Sequence, residues 1–206
     1  MAEPQRVFDI RSYQPRPEDM FLVDTNAWFW ATYSRATLPF LLGRPSKRQH
    51  EQYLRFIKKS LDVGCTIGRC DLTLSELAHR IEITEKQIYE HHALKQTEIR
   101  LKDYRAISVE RKSVVSEIAN VWSSVTSMSE NWALTLSNDV TEAALQSLRT
   151  CALDGYDVFF LEAVKQKGCA SILTDDSDFS AVAGISIFTS NLRVLAEAKQ
   201  AGRLIE

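Results

Sequence analysis

Cysteine is scarce in this sequence, and its positions give no sign of a zinc site. The four cysteines are Cys65, Cys70, Cys151 and Cys169, and they form no C-x-x-C pair and have no histidine close by in sequence. The common zinc-binding patterns need such spacing. We therefore expect these thiols to be small apolar groups in the core.

Long apolar segments are also absent. No run of about 18 apolar residues occurs, which excludes a membrane-spanning helix of the usual kind. Residues 1–9 lack the apolar centre of a signal peptide. We expect a cytoplasmic protein that makes no membrane contact.

Neither sign of charge dominates the chain. There are 25 Lys and Arg residues against 27 Asp and Glu residues, so the net charge is −2. A protein of this charge is not a general binder of polyanions, and nucleic acid would have to meet a local basic face. The apolar fraction of 45% over 206 residues suits one sizeable globular domain with room for an insertion.

Apolar runs alternate with amphipathic segments in the way that predicts a three-layer α/β/α domain around a central parallel sheet. Short continuous apolar runs are typical of strands that are buried on both faces. Strands are predicted at 21–23, 66–67, 171–174 and 185–188. Helices are predicted at 27–31, 46–63 (with Ser46 as N-cap), around 74–81, at 155–167 and at 190–201.

Two segments lie outside this pattern. Residues 1–19 contain Pro4, Pro15 and Pro17, and because proline is stiff but not helical we expect an extended arm before a domain at 20–206. Residues 85–135 are rich in Lys, Glu, Gln and Ser and show no strand-like run before residue 134. They predict a helical insertion of two or three helices.

Four acidic residues stand where a strand or helix reaches a turn, namely Asp24, Glu76, Asp157 and Asp176. The carboxyl ends of parallel strands meet at one edge of the sheet, where ligands bind, and the turns after Val23 and Thr174 fall there. Crowded carboxylates take up protons or bind a cation. An oxygen-only pocket at neutral pH points to Mg²⁺ or Mn²⁺, so the sequence favours a metal-dependent nuclease.

Each acid also has an ordinary structural explanation. Asp24 could cap the helix that follows it, and Glu76 could be a solvated helical residue. Asp154 and Asp157 could serve as N-cap and first-turn acid of one helix. Residues 175–178 could form an Asx turn.

The order of these motifs resembles that of the PIN domain, a family of metal-dependent nucleases that includes the VapC toxins of bacterial toxin–antitoxin pairs. Val23-Asp-Thr-Asn26 is similar to the first motif of the family, and Leu74-Ser-Glu-Leu77 is similar to the second. The segment 157–168, an Asp opening an apolar helix that ends at Gly, resembles the third. Thr174-Asp-Asp-Ser-Asp-Phe179 resembles the fourth, Thr-x-Asp-x-Asp-Phe. The resemblance covers 20–82 and 140–200.

The resemblance implies a site and an activity. Asp24, Glu76, Asp157 and Asp176 would be the catalytic carboxylates and would hold Mg²⁺ or Mn²⁺. Asp178 would be a further metal ligand, and Thr174, Thr25 and Asn26 would orient water or the scissile phosphate. The implied activity is that of an endoribonuclease on single-stranded or structured RNA. The resemblance also implies a toxin with an antitoxin partner, and a homodimer.

Other residues could serve the substrate or the fold. No Ser, Cys or His triad is apparent, and the histidines (His50, His79, His91 and His92) are expected on solvated surfaces. Basic residues over 86–112 outnumber acidic ones there and could form a rim that contacts phosphates, or a solvated helical face of mixed charge. They are Lys86, Lys95, Arg100, Lys102, Arg105, Arg111 and Lys112. Tyr89 and Tyr104 could stack on bases or pack between helices, and Trp28 and Trp30 could lie in the core or at a dimer interface.

Two alternatives remain open from the sequence. The first is a PIN-like nuclease in RNA processing or in a DNA-directed defence system. The second is a non-catalytic module that binds nucleic acid or protein and keeps the acidic turn for folding.

Overall fold

A single sheet of parallel strands organises the protein in the computed structural model, which describes residues 5–38, 47–93 and 98–205. The described strands are β1 (Arg6–Asp9), β2 (Met20–Val23), β3 (Thr66–Cys70), β4 (Glu130–Trp132), β5 (Ser171–Leu173), β6 (Ser186–Thr189) and β7 (Leu204–Ile205). Their spatial order is β4-β3-β2-β5-β6-β1-β7, and every neighbouring pair is parallel. The predicted parallel sheet is confirmed.

Helices cover both faces of this sheet. They are α1 (Thr25–Thr32), α2 (Lys47–Asp62), α3 (Thr73–Ala93), α4 (Leu101–Arg105), α5 (Ser108–Ser127), α6 (Asn138–Thr150), α7 (Gly155–Lys167) and α8 (Leu192–Gln200), with short 3₁₀ helices at Ser34–Thr37 and Asp178–Ala181. One core packs α1, α2, α3 and α5 against the sheet, and the other packs α6, α7 and α8. The three-layer α/β/α architecture is therefore confirmed.

Successive strand residues supply the two cores in turn. Phe21 and Val23 face the first core, while Leu22 between them faces the second. The same alternation holds on β5, where Ile172 and Leu173 enter opposite cores. Side chains of a strand alternate between the two faces of a sheet, so a strand covered on both faces is apolar throughout, as the sequence indicated.

The region predicted as a helical insertion contains one strand as well. The end of α3, α4 and α5 are helical as expected, but β4 follows them and pairs with β3 at the edge of the sheet. The absence of a strand from residues 85–133 was therefore a wrong prediction. β4 has only three residues, and among them only Trp132 is buried, so it left no apolar pattern to detect.

The predicted arm at 1–19 is corrected in part. Its residues 6–9 form β1, which lies inside the sheet between β6 and β7. Val7 is fully buried, and the ring of Phe8 stacks on Phe188 with the centroids 4.6 Å apart. The fold therefore starts before residue 20. The strand was not predicted because the prolines nearby in the sequence are typical of a linker.

Some helix starts also differ from the prediction. α8 begins two residues after the predicted start, because the side chain of Asn191 accepts hydrogen bonds from the backbone N–H groups of Arg193 and Val194 and caps it. The predicted cap of α2, Ser46, lies outside the described residues. Within the described part of the chain, no helix has the length and apolarity needed to cross a membrane.

Gly68 on β3 is expected to tolerate no side chain. A Cβ there would collide with the indole ring of Trp132, which is 2% exposed. We predict that Gly68→Ala lowers the free energy of unfolding by about 1–3 kcal/mol, the usual cost of overpacking, measured by urea denaturation. Gly155→Ala is the matched control, since a Cβ at Gly155 meets nothing within 4 Å. Equal stability of the two variants would contradict the close packing.

Candidate active site at the carboxyl edge of the sheet

Parallel pairing of β2 with β5 brings two predicted site segments together. Leu22 pairs with Ile172 and Val23 pairs with Leu173, so Asp24 and Thr174 follow directly at the same edge. The backbone N–H of Asp24 donates to the carbonyl of Leu173 at 3.0 Å. The carboxyl edge of the sheet is therefore the place where the acidic residues meet.

Thr174 links the two strands through its hydroxyl group. Thr174 Oγ1 donates to Asp24 Oδ2 at 2.7 Å and accepts a bond from the backbone N–H of Asp176 at 2.8 Å. Thr174 is fully buried and Asp24 is only 3% exposed. Asp24 stands at the N-cap position of α1, but its side chain makes no capping hydrogen bond. The carboxyl group is thus directed to the cluster rather than to the helix end.

Asp176 has both a local and a long-range role. Its Oδ1 accepts from the backbone N–H of Asp178 at 2.9 Å, which is the predicted Asx turn. Its Oδ2 accepts from Asn26 Nδ2 at 3.2 Å. The turn residue therefore also belongs to the site, since Asn26 on α1 orients its carboxylate. Asp178 is exposed beside it, and burial together with the Asp176 charge raises the Asp178 pKa.

Asp157 lies in the first turn of α7, behind the N-cap residue Asp154. The Asp154 side chain accepts from the backbone N–H groups of Tyr156 and Asp157, at 2.7 and 3.0 Å, so the structural explanation for Asp154 is confirmed. A helix N-terminus favours negative charge. Even so, burial and the charges of Asp24, Asp154 and Asp176 raise the pKa of Asp157 to about 8.

Asp24 and Glu76 complete the cluster. Burial, followed by the charges of Glu76 and Asp176, raises the pKa of Asp24 to about 7 against the opposing hydrogen bond from Thr174. The pKa of Glu76 is also raised by burial, and a hydrogen bond with Thr25 opposes that shift. The four predicted carboxyl groups therefore share one electrostatic environment, in which the charges of Asp24, Glu76 and Asp176 each raise the pKa of a neighbouring acid.

Arg80 was not among the predicted site residues. It lies one helical turn after Glu76 on α3, and its guanidinium carbon is 5.1 Å from the ring centre of Phe29 and 5.9 Å from that of Trp30. Its charge lowers the pKa of Asp24, of Glu76 and of Asp175. The spacing of four residues from Glu76 was the signal in the sequence, because it places both side chains on one helical face.

Asp175 serves the frame of the site. Its Oδ1 accepts from the hydroxyl of Tyr53 on α2 at 2.7 Å, and Asn191 Nδ2 donates to its carbonyl at 2.7 Å. The same Tyr53 hydroxyl accepts from the backbone N–H of Ser190 at 3.2 Å. These bonds fix the turn after β5 against α2 and the end of β6, and they hold Asp176 at the edge of the cluster.

The chemistry of the cluster suits a hydrated hard cation. Its donors are carboxylate and hydroxyl oxygens, which Mg²⁺ and Mn²⁺ prefer. Among residues 5–38, 47–93 and 98–205, no three Asp, Glu, His or Cys side chains stand close enough to be a preformed ligand set. Mg²⁺ keeps several waters and is often bound directly by only one or two carboxylates. The residues therefore fit an ion that is held partly through water.

The basic segment beyond the site forms a helical face of mixed charge. Lys86 pairs with Glu90 at 2.7 Å and Arg100 pairs with Asp103 at 2.6 Å, while Arg105 and Arg111 both contact Glu82. Lys95 lies outside the described residues. This arrangement matches the second of the two interpretations of residues 86–112.

Aromatic residues flanking the site belong to the fold. Tyr104 is buried against Tyr89 with the ring centroids 5.4 Å apart. Trp28 is fully buried and Trp30 is 7% exposed, so both belong to the core rather than to an exposed interface. Of the histidines, His79, His91 and His92 are exposed as expected, and the side chain of His50 lies outside the described residues.

Comparison with known proteins gives a distant structural likeness. No family model matches the chain, and no curated protein matches it. Among the solved structures that match is the crystal structure of VapBC2 from Rickettsia felis bound to a DNA fragment from their promoter. That match has 11% sequence identity and a TM-score of 0.46, and it covers 82% of this chain and 96% of the other. A likeness this distant carries no argument about the chemistry of the site.

The raised pKa values predict how stability depends on pH without metal. Asp24 and Asp157 have pKa values of about 7 and about 8 in the folded protein, against an ordinary value of 3.8. At pH values between the ordinary pKa and the raised pKa, the folded state therefore binds more protons than the unfolded state. The free energy of unfolding consequently falls as the pH rises from about 4 to about 8. Asp157→Asn should gain about 2 kcal/mol at about pH 8, allowing for solvent screening of a partly exposed group.

Urea unfolding in EDTA, at intervals between about pH 5 and about pH 8, measures this gain. The control is Asp139→Asn, which removes an exposed first-turn acid from the neighbouring helix α6. We expect the control to keep the slope of the parent protein. If Asp157→Asn kept the pH dependence of the parent protein, the pKa of Asp157 would not be raised in the folded state.

Proposed function

We propose that this protein is a PIN-like, metal-dependent endoribonuclease that hydrolyses phosphodiester bonds of RNA at the carboxyl edge of its sheet. The observation that carries the proposal is the cluster of Asp24, Glu76, Asp157 and Asp176. Burial and mutual repulsion raise the pKa of Asp24 to about 7 and that of Asp157 to about 8. Perturbed acids of this kind concentrate at functional sites, and a divalent cation relieves their repulsion.

The side chains have distinct parts in such a reaction. Mg²⁺ or Mn²⁺ at this site would supply a water of lowered pKa and positive charge beside the scissile phosphate. The four carboxylates would hold the ion, with Asp178 at the exposed side. Thr174 fixes the orientation of Asp24, and Asn26 fixes that of Asp176. Thr25 and Arg80 both favour the charged form of Glu76, since each lowers its pKa.

The biological setting in this proposal follows from the motif resemblance. It is the toxin of a type II toxin–antitoxin pair, acting on single-stranded or structured RNA, with a protein antitoxin as partner and a homodimer as the assembly. A second candidate is a PIN-like nuclease in RNA processing or DNA-directed defence. β1, α4 and α5 favour it, since they are packed parts of the domain that lie outside the motif-bearing segments.

The first test is cleavage of a panel of single-stranded and structured RNA and DNA, with Mn²⁺ and with EDTA. We expect RNA cleavage that requires the metal and that falls at least about 100-fold in Asp24→Asn, since the substitution removes a charged ligand. Asp139→Asn, which neutralises an exposed acid in the first turn of α6, is the control and should retain activity.

The other outcomes of the panel separate the alternatives. Cleavage of DNA but not of RNA would support the alternative function, a nuclease that acts on DNA. If cleavage continued in EDTA and in Asp24→Asn, the acidic cluster would not be the catalytic site. No cleavage of any substrate, together with nucleic-acid binding, would support the non-catalytic module.

Metal binding is tested separately by thermal unfolding. A ligand that binds only the folded protein adds about 2.7 kcal/mol at 100 times its Kd, so Mn²⁺ should raise the Tm of the parent protein. The rise should be larger near pH 8 than near pH 6, because ligands must lose their protons. Asp24→Asn/Asp157→Asn should lose this effect and Asp139→Asn should keep it. An equal Mn²⁺ effect on all three proteins would place the ion elsewhere.

A further inference from the structure

A basic groove lies between α2 and the segment that follows β1. It encloses a cavity of about 360 Å³, whose lining includes Ile10 and Phe56 as apolar residues and Arg11, Glu51, Arg55 and Lys59 as charged ones. A second cavity of about 540 Å³ shares Glu51, Arg55 and Lys59 with the first and continues along α2. The groove is thus an extended depression rather than a closed pocket.

Three cations on the groove retain free hydrogen-bond donors. The Arg11 guanidinium donates through Nε and Nη2 to Asp9, at 2.8 and 2.5 Å, which holds it in place and leaves Nη1 available. Lys59 Nζ donates to the carbonyl of Tyr13 and to Gln14 Oε1, so one of its three N–H groups remains. Arg55 is exposed and forms no ion pair with any residue that the structure describes.

The charges around the cavity favour an anionic ligand. Across the two cavities the acidic lining residues are Glu51 and Asp62, against Arg11, Arg55, Lys58 and Lys59. Arginine offers planar, paired N–H groups that match a phosphate, and lysine supplies a point charge. Asp9 balances the charge of Arg11 in an ion pair, so the excess positive charge of the groove comes from Arg55, Lys58 and Lys59.

The position of the groove relates it to the acidic cluster. Because the sheet is parallel, the chain after β1 lies at the same edge as Asp24 and Asp176. β1 is two places from β5 in the strand order, so the two sites are separated by about 10 Å across the sheet. α2 connects them, since Tyr53 bonds Asp175 while the adjacent Gln52 lines the cavity.

We propose that this groove binds the phosphodiester backbone of a single-stranded RNA next to the point of cleavage. The inference rests on the proposed function, because it assigns the groove to the same substrate. Lys and Arg contacts to phosphates give affinity without sequence preference, and they would offset the repulsion of RNA by the acidic cluster. The elements that build the groove include β1, which the motif resemblance does not cover.

Binding of uncleaved RNA tests the groove. In an Asp24→Asn background with EDTA, fluorescence anisotropy gives the Kd of a long single-stranded RNA over a range of salt concentrations. Arg55→Gln/Lys59→Gln should raise the Kd for long RNA about three- to tenfold at low salt. The slope of log affinity against log salt should fall by about 1.4, or about 0.7 for each lost phosphate contact.

The control is Arg149→Gln/Lys199→Gln, which removes the same two residue types from exposed positions on α6 and α8, in the other helical layer. It should bind long RNA with the affinity and salt slope of the parent. Circular dichroism and thermal unfolding establish that both double variants are folded. Equal Kd values for the groove variant and the control would overturn the proposal, as would a parent that binds no RNA.

Two further results separate the possible ligands and the two proposals. If inorganic phosphate or a mononucleotide competed as effectively as unlabelled long RNA, the groove would be a binding site for small anions. That result would overturn the proposal that it binds the RNA backbone. Because binding is measured without cleavage, a protein that cleaves nothing but loses RNA affinity in the groove variant would refute the nuclease and leave the groove standing. A protein that cleaves RNA, and whose groove variant binds RNA as tightly as the parent, would support the nuclease and refute the groove.

Discussion

The hydrogen-bonded pairing of β2 with β5 is the constraint on which the site depends. It places Asp24 and Thr174 side by side, although they are 150 residues apart in sequence, and the Thr174 hydroxyl joins them at 2.7 Å. Asp176 follows on the same turn, and α3 and α7 then present Glu76 and Asp157 to the same edge. Every contact in the acidic cluster requires this one register, because a slip of one residue would turn Asp24 to the other face.

The cluster is unfavourable for the metal-free fold, and the surrounding structure compensates for it. Burial and like charges raise the pKa of Asp24, Glu76 and Asp157 together. The charge of Arg80, which lies over the rings of Phe29 and Trp30, lowers the pKa of Asp24 and of Glu76. Both aromatic residues are core residues of α1, so the same packing that stabilises the first helical layer also holds the counter-charge. Stability and site electrostatics are therefore coupled through a few side chains.

Periodicity alone predicted the central part of the fold. β2 was predicted from an unbroken apolar run, which is typical of a strand buried on both faces. β5 and β6 were predicted from short apolar segments that alternate with helices, and α7 from an apolar helix that ends at a glycine. β1 and β4 were missed, because short strands near an edge bury one or two side chains and leave no pattern. The Asx turn and the Asp154 cap were both predicted from local chemistry, which needs no tertiary contact.

The sequence by itself determined the layered α/β class, the strands of the sheet centre and the set of acidic residues at their ends. These properties depend on burial and on local hydrogen bonds, which are written into neighbouring residues. Tertiary structure alone decided that the four acids share one environment, that Arg80 faces them, and that β1 joins the sheet to form a basic groove with α2. Those features arise from strand order, and strand order depends on contacts between residues that are far apart in the chain.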